Sequence, residues 1–339
     1  MFNWSYIDLL ALKIQIYHNG KTTLSNKLSI ILSSLIILLI VGMVYVLGME
    51  LFYKEKPIVR SGTKFQENTK IFLKDLPITF RLIDYYGNIF NNIEEIFTFK
   101  PMIFYVDENF KVNVVPLGIE KCDESKHFTP EQKKIFNQTN FDAYSNSLCL
   151  NFNETDYIMN EYASKSSAFL HIQVMKCNEA DDNKKCDHSI IDDNSQFLYL
   201  QIQFLDSFID MNKKDPKTYF TNMITQKLSL TMFKRNWLTF QNYELNLDSG
   251  IIFEDSEKTT GFSYTDNLID IDNINKQFVN LVYELSLTST RFVDFHFRKF
   301  LKFQDVLAVV GGIIKVLQMV GMYICNSFLK IQFKLMNKI

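Results

Sequence analysis

The chain's most reactive side chains are its five cysteines. Cys122, Cys149, Cys177 and Cys186 fall in the central region, and Cys325 lies in an apolar run further on. An even set of cysteines in one region suits disulfides made in an oxidising compartment. Four cysteines allow three connectivities, and pairing between sequence neighbours, Cys122–Cys149 and Cys177–Cys186, is the expected one. Each closed loop would contribute roughly 3 kcal/mol by chain entropy. Zinc is the competing chemistry, because His188 follows Cys186 closely, but the spacing matches no structural zinc pattern. With Asp181, Asp182 and Asp187 around it, a solvated disulfide loop is the preferred reading.

Two glycosylation sequons, Asn137-Gln-Thr and Asn153-Glu-Thr, flank the same cysteines in polar, loop-like sequence. A third match, Asn3-Trp-Ser, falls on a stretch expected to face the cytosol. Lys315 and Gln318 are polar residues inside an otherwise apolar run, and their spacing puts them on one helix face. Gly311 and Gly312 stand just before them, where a missing side chain lets another helix approach. That face is expected to pack against a helix of this chain or a neighbouring subunit. The sharper alternative is that Lys315 pairs with an acid or lines a pore.

Other chemistry is thinly represented. His18, His127, His171, His188 and His296 are scattered, and His171 reads as a packed or exposed strand residue. Asp266, Asp270 and Asp272 gather without the spacing of a calcium loop and read as a solvated loop. The chain lacks a Gly-rich phosphate loop, H-E-x-x-H, G-x-S-x-G and paired C-x-x-C. The expectation is therefore no enzyme, no cofactor and no metal. A net charge of -2 gives no basic footprint for nucleic acid.

Two apolar segments would carry these residues on a membrane. Leu28–Met49 holds no charge, and at 1.5 Å per residue it covers a hydrocarbon core of about 30 Å. It is too long for a cleaved signal peptide and no small-residue cleavage site follows it, so an uncleaved anchor is expected. The second segment, 304–329, tolerates Lys315 at about 2.5–3.5 kcal/mol because Val, Ile, Leu and Met surround it. Flanking lysines are balanced at both segments, so cysteines and sequons assign the sides instead. The resulting layout is a cytosolic tail (1–27), a transmembrane helix (28–49), a lumenal or extracellular domain (50–303), a second transmembrane helix (304–329) and a cytosolic tail (330–339).

Within the domain the period is two. Ile78–Ile83 alternates and Asp84–Asn88 reads as a turn. Phe97–Val106 and Phe110–Val115 flank Asp107-Glu-Asn109 as a hairpin. Ala168–Met175, Phe197–Phe204, Leu228–Leu230, Trp237–Leu247 and Phe278–Leu287 continue the strand pattern. Thr129-Pro130-Glu131-Gln132 signals a helix start, with Thr as N-cap and Gln at the third position. The fold expected is two transmembrane α-helices flanking an all-β, β-sandwich-like ectodomain, with a small helical, loop-rich insert near residues 118–166.

Short tracts carry a family resemblance. Lys21-Thr22 and Glu50-Leu-Phe-Tyr53 bracket the first helix, and Leu76-Pro-Ile-Thr-Phe80 precedes Asp84 and Gly87. Tyr283-Glu-Leu-Ser286, Phe300-Leu-Lys-Phe303 and Gly311-Gly312 follow near the second helix. Together they resemble the ER–Golgi intermediate compartment cargo receptors. Lys302–Lys315 also looks like a tract of uncharacterised two-pass membrane proteins of ciliates. The resemblance implies a two-pass glycoprotein of ER, Golgi or plasma membrane whose lumenal domain binds a protein partner in vesicular transport. Its other expected partners are the lipid bilayer and a like or unlike subunit met through the second helix. A ligand-gated ion channel subunit or a structural subunit of a larger membrane complex is the alternative.

Overall fold

The computed structural model describes residues 12–18, 21–24, 27–137, 146–161, 164–179, 186, 198–229, 232–273 and 280–336. Among these, the strands are β1 (Leu12–His18), β2 (Lys21–Leu24), β3 (Ile58–Phe65), β4 (Lys70–Phe72), β5 (Ile78–Ile83), β6 (Phe97–Val106), β7 (Val112–Pro116) and β8 (Gly118–Lys121). They continue with β9 (Leu148–Asn151), β10 (Tyr157–Met159), β11 (Ser167–Lys176), β12 (Tyr199–Ile209), β13 (Lys217–Lys227), β14 (Met232–Asp248), β15 (Ser256–Asn273) and β16 (Leu281–Lys299). The helices are α1 (Lys27–Tyr53), α2 (Ile93–Ile96), α3 (Glu124–His127), α4 (Pro130–Asn137) and α5 (Phe303–Met336).

The chain divides into two compact units. One comprises Met1–Val59, Leu247–Glu257 and Arg298–Ile339. It contains α1 and α5, and both helices are long and apolar enough to cross a membrane, over Ile30–Tyr53 and Phe303–Phe328. The helices meet through Ile36 and Cys325, with Leu32, Ile40 and Leu317 packed around them. Most of their remaining apolar side chains face outward, as expected where lipid is the solvent.

The other unit comprises Arg60–Asn246 and Lys258–Phe297 and is mostly β-sheet. A nine-stranded sheet runs in the order β15-β14-β16-β11-β10-β4, with β3 on β16, β6 on β11 and β7 on β6. A five-stranded sheet runs β13-β12-β5-β9-β8. Alternation along the strands builds the layer between them. Ile103, Leu170, Ile172, Leu285 and Leu287 from the larger sheet meet Phe80, Leu82, Leu200, Ile202 and Phe204 from the smaller in one apolar cluster.

The helical insert follows its sequence signals. Thr129 Oγ1 accepts from the Gln132 N–H at 3.3 Å, and Gln132 Oε1 accepts from the Thr129 N–H at 2.9 Å. This reciprocal pair satisfies two amides that the first turn of α4 would otherwise leave unpaired. Two local expectations are corrected. Leu228 is not in a strand, because β13 ends at Lys227 and the buried Leu228 instead gives its N–H to Leu198 O at 2.8 Å. Asp266, Asp270 and Asp272 lie on the long strand β15 rather than in a loop; the backbone pairs with β14 while the side chains of Asp266 and Asp270 stay in water. The helix α5 also runs past Leu329 to Met336.

Candidate functional site

The outer face of the nine-stranded sheet carries the most distinctive side-chain arrangement. On β6 the inward residue Ile103 is fully buried, which sends its neighbours Phe104 and Met102 outward. Phe104 pairs in register with Phe169 on β11 and with Val114 on β7, and Val106 pairs with Val112. His171 follows Phe169 on the same face and pairs with Ser286 on β16. Arg235 and Trp237 on β14 extend the row beyond β16. Five neighbouring strands thus line an open groove of about 720 Å³, walled by Phe104, Phe110, Val112, Phe169 and Trp237.

Aromatic contacts fix the floor. The rings of Phe104 and Phe169 stack at 5.0 Å between centroids, and the edge of His171 meets Phe104 at 5.6 Å. Such pairs contribute about 0.5–1.5 kcal/mol beyond area burial. Phe110, at 68% exposure, stands on the rim. Its backbone is held in the left-handed region at φ 59°, uncommon for a bulky side chain. Asp107 imposes this, accepting from the N–H of Asn109 at 2.9 Å and of Lys111 at 2.8 Å.

A charged cluster closes one end. Arg235 Nε donates to Glu284 Oε1 at 3.1 Å, and the same oxygen lies 3.5 Å from His171 Nδ1. His171 Nδ1 is also 3.1 Å from Ser286 Oγ. Burial pushes the His171 imidazole below its ordinary value; the Glu284 carboxylate opposes this and the Arg235 guanidinium reinforces it. The imidazole is therefore neutral at neutral pH, leaving the Arg235–Glu284 pair as the local charge balance. Arrangements of this kind, a mostly apolar concavity with a few placed polar groups, bind ligands or partner side chains. The strand β7 adds a further element. Among the described residues it pairs only with β6, so its other edge offers free backbone donors and acceptors.

The residues singled out from the sequence lie elsewhere. Cys122 and Cys149 are bonded with Cα atoms 4.9 Å apart, at the β8–β9 pair where Cys122 N–H donates to Ser147 O at 2.9 Å. Cys177 and Cys186 are bonded with Cα atoms 5.7 Å apart. His188, Asp181, Asp182, Asp187 and Asn3 lie outside the described residues. Asn137 is exposed at the end of α4, and Asn153 is exposed in a turn where its N–H donates to Asp156 Oδ2 at 2.7 Å. Lys315, Gly311 and Gly312 are exposed on α5, and Gln318 is half-buried. A Cβ at either glycine would meet nothing within 4 Å, so α1 does not use that opening.

The groove has no contiguous signature in the sequence, because its residues are spread from Phe104 to Glu284 and only strand register unites them. One signal was available. The outward positions Met102, Phe104 and Val106 of β6 are apolar, where a solvated face would be polar.

No curated protein matches the chain. Among solved structures, a proton-activated chloride channel determined by cryo-EM is similar at 11% identity and a TM-score of 0.37, over 91% of this chain and 100% of that one. The crystal structure of Erv41p is similar at 9% identity and a TM-score of 0.25, over 70% of this chain and 98% of that one. A family described as "Uncharacterised 80 kDa protein N-terminal domain" matches residues 69–289, more than half of the chain, and the protein belongs to that family.

Proposed function

We propose that this protein is a two-pass membrane glycoprotein of the secretory pathway whose β-rich body binds an extended segment of a protein partner. The partner would add a strand to the open edge of β7 and place alternate side chains in the adjoining groove. The observation that carries this reading is the apolar, aromatic outer face of the nine-stranded sheet, with Phe110 held out at its rim. Soluble sheet faces are ordinarily polar, and an apolar patch rimmed by charge marks a binding surface. The two disulfides support an oxidising compartment for the body, and the exposed Asn137 and Asn153 are suited to carry glycans there. With α1 and α5 as spans, both outer flanks lie in the cytosol. The cargo-receptor resemblance favours a secretory protein as the partner and ER–Golgi membranes as the location. The exposed Gly311, Gly312 and Lys315 face of α5 supplies the contact with a second subunit.

A photo-reactive amino acid at Phe110 tests this reading in cells. A discrete protein adduct that disappears when Trp237 and Phe104 are replaced by Asp supports it; labelling of lipid alone, or of nothing, defeats it. Glycosidase shift and protease protection test the topology in the same material.

A second reading rests on Lys315, an exposed charge within a candidate membrane span. In a ring of subunits it would face a shared axis, making the protein a ligand-gated channel subunit. Ligand-evoked current in patch-clamp recording that Lys315→Met changes would favour that reading over the first.

A further inference from the structure

We infer that the loop between β14 and β15 is a third membrane contact, inserting Ile251, Ile252 and Phe253 into the headgroup–acyl boundary of the bilayer. The inference rests on α1 and α5 being membrane spans, as proposed above.

The loop is tied to the ends of both helices. Lys54, the residue after α1, donates from Nζ to Ser249 O at 2.6 Å. Phe303, the first residue of α5, donates its N–H to Ile251 O at 2.9 Å. That amide is one of the four a helix start leaves unpaired, so the loop caps α5 at the level where the span begins. Lys302 Nζ lies 2.8 Å from Asp248 Oδ2, and both side chains are nearly buried. Asp248 Oδ1 accepts from the N–H of Gly250 and of Asp255, each at 3.1 Å. Ser249 N–H donates to Asp255 O at 2.9 Å.

The base of the loop is thus paired within the protein at Ser249, Gly250, Ile251 and Asp255, and its apolar side chains point out. Phe253 is 80% exposed, and Ile251 and Ile252 are exposed beside it. Water would meet an unprotected apolar tip; lipid at this depth would cover it. Neighbouring residues agree, since Phe52 and Tyr53 at the end of α1 and Phe303 at the start of α5 are also exposed. Aromatic side chains at that level form interfacial belts. The headgroup–acyl boundary suits this tip, because water still reaches its backbone there while its apolar side chains meet lipid. The turn itself requires Gly250, where a Cβ would fall 1.8 Å from Phe253 O.

Spin labels on the full chain in proteoliposomes test this. Single cysteines replace Phe253, Leu38 on α1 and Glu108 in the β6–β7 turn, and power saturation compares collisions with oxygen and with a water-soluble nickel complex. Leu38 is 72% exposed and reports the span. The expected result is that labels at Leu38→Cys and Phe253→Cys favour oxygen severalfold over the label at Glu108→Cys, with Phe253→Cys the shallower of the two. A Leu38→Cys label in lipid with a Phe253→Cys label as wet as Glu108→Cys overturns the loop inference and leaves the spans standing. A wet label at Leu38→Cys overturns both. Phe253 makes no core contact to lose, and Gly250→Ala, which must open the turn, provides a second test: it should move the Phe253→Cys label toward water.

Discussion

The two sheets of the β-rich unit treat their outer faces in opposite ways. The five-stranded sheet sends Thr79, Arg81, Gln201, Gln203 and Leu205 outward, and all five are nevertheless buried. The helical insert lies over Leu205. Phe136 of α4, Phe128 and the Cys149 half of a disulfide pack on Leu205, and Arg81 Nε donates to Gln201 Oε1 at 2.9 Å beneath. The nine-stranded sheet sends Phe104, Phe169 and Trp237 outward to line an open groove, with Phe104 stacked on Phe169. A polar face is hidden and an apolar one is left open. The hidden face is structural, and the groove face is the one on which the proposed partner would bind.

The comparison breaks first at the covered face. Phe136 is 0% exposed and meets Phe128 edge-on at 5.1 Å. Phe136→Ala should cost about 3–5 kcal/mol and uncover the five-stranded sheet, which hydrogen exchange would report as lost protection in β5 and β12 with β6 and β11 unaffected. Replacing Cys122 and Cys149 together by Ser should cost about 3 kcal/mol, seen as a lower midpoint in denaturant, with groove binding retained after refolding. If either change abolished partner binding in the folded protein, the division of labour between the faces would be wrong.

Several elements were legible because their signals are local. The Thr129–Gln132 capping box, the hairpin about Asp107 and the alternation of Ile78–Ile83 each reside in a few consecutive residues. The strands β13 and β15 were not legible. Each stands at the edge of its sheet, so much of each strand meets water and the apolar beat that marks a half-buried strand is missing. The groove was hidden for another reason. Phe104, Phe169, Arg235 and Glu284 become neighbours only through pairings across long stretches of chain, which no window of sequence contains. Ile251-Ile252-Phe253 was too short a run to register as a membrane element and gains meaning only beside Lys54 and Phe303.

On the open face, Glu284→Gln should cost about 1–3 kcal/mol, because the Arg235 guanidinium loses its carboxylate at a largely buried site. Binding should weaken with it, since the end wall of the groove loses its shape. Phe110→Gly should separate stability from binding. Glycine accepts φ 59° without strain, so stability should hold or rise by up to about 1 kcal/mol while the rim anchor is lost. A thermal melt and a binding measurement on the same sample check both halves. A variant that melts lower and binds unchanged would make Phe110 a packing residue rather than a recognition one.

The smallest effect concerns protons. Burial holds the His171 imidazole below its ordinary value, with Glu284 pulling it up and Arg235 pushing it down. The unfolded chain accepts this proton near pH 6.5, and the folded chain only at lower pH. Unfolding between those two values takes up a proton, so stability is fully present above about pH 6.5 and declines as pH falls toward the folded value, by at most about 1.4 kcal/mol per pH unit for one group. His296 carries the same sign, lowered by burial against the opposing Asp294 carboxylate. Both groups lie on the nine-stranded sheet, so their share of the acid sensitivity belongs to that sheet. His171→Asn should flatten the dependence measured from pH 7 to pH 5.5 without removing it, and His171→Asn with His296→Asn should flatten it further. Should the slope survive both changes undiminished, the proton would bind elsewhere, and the neutral imidazole would be a packing element of the groove and not its pH-sensitive part.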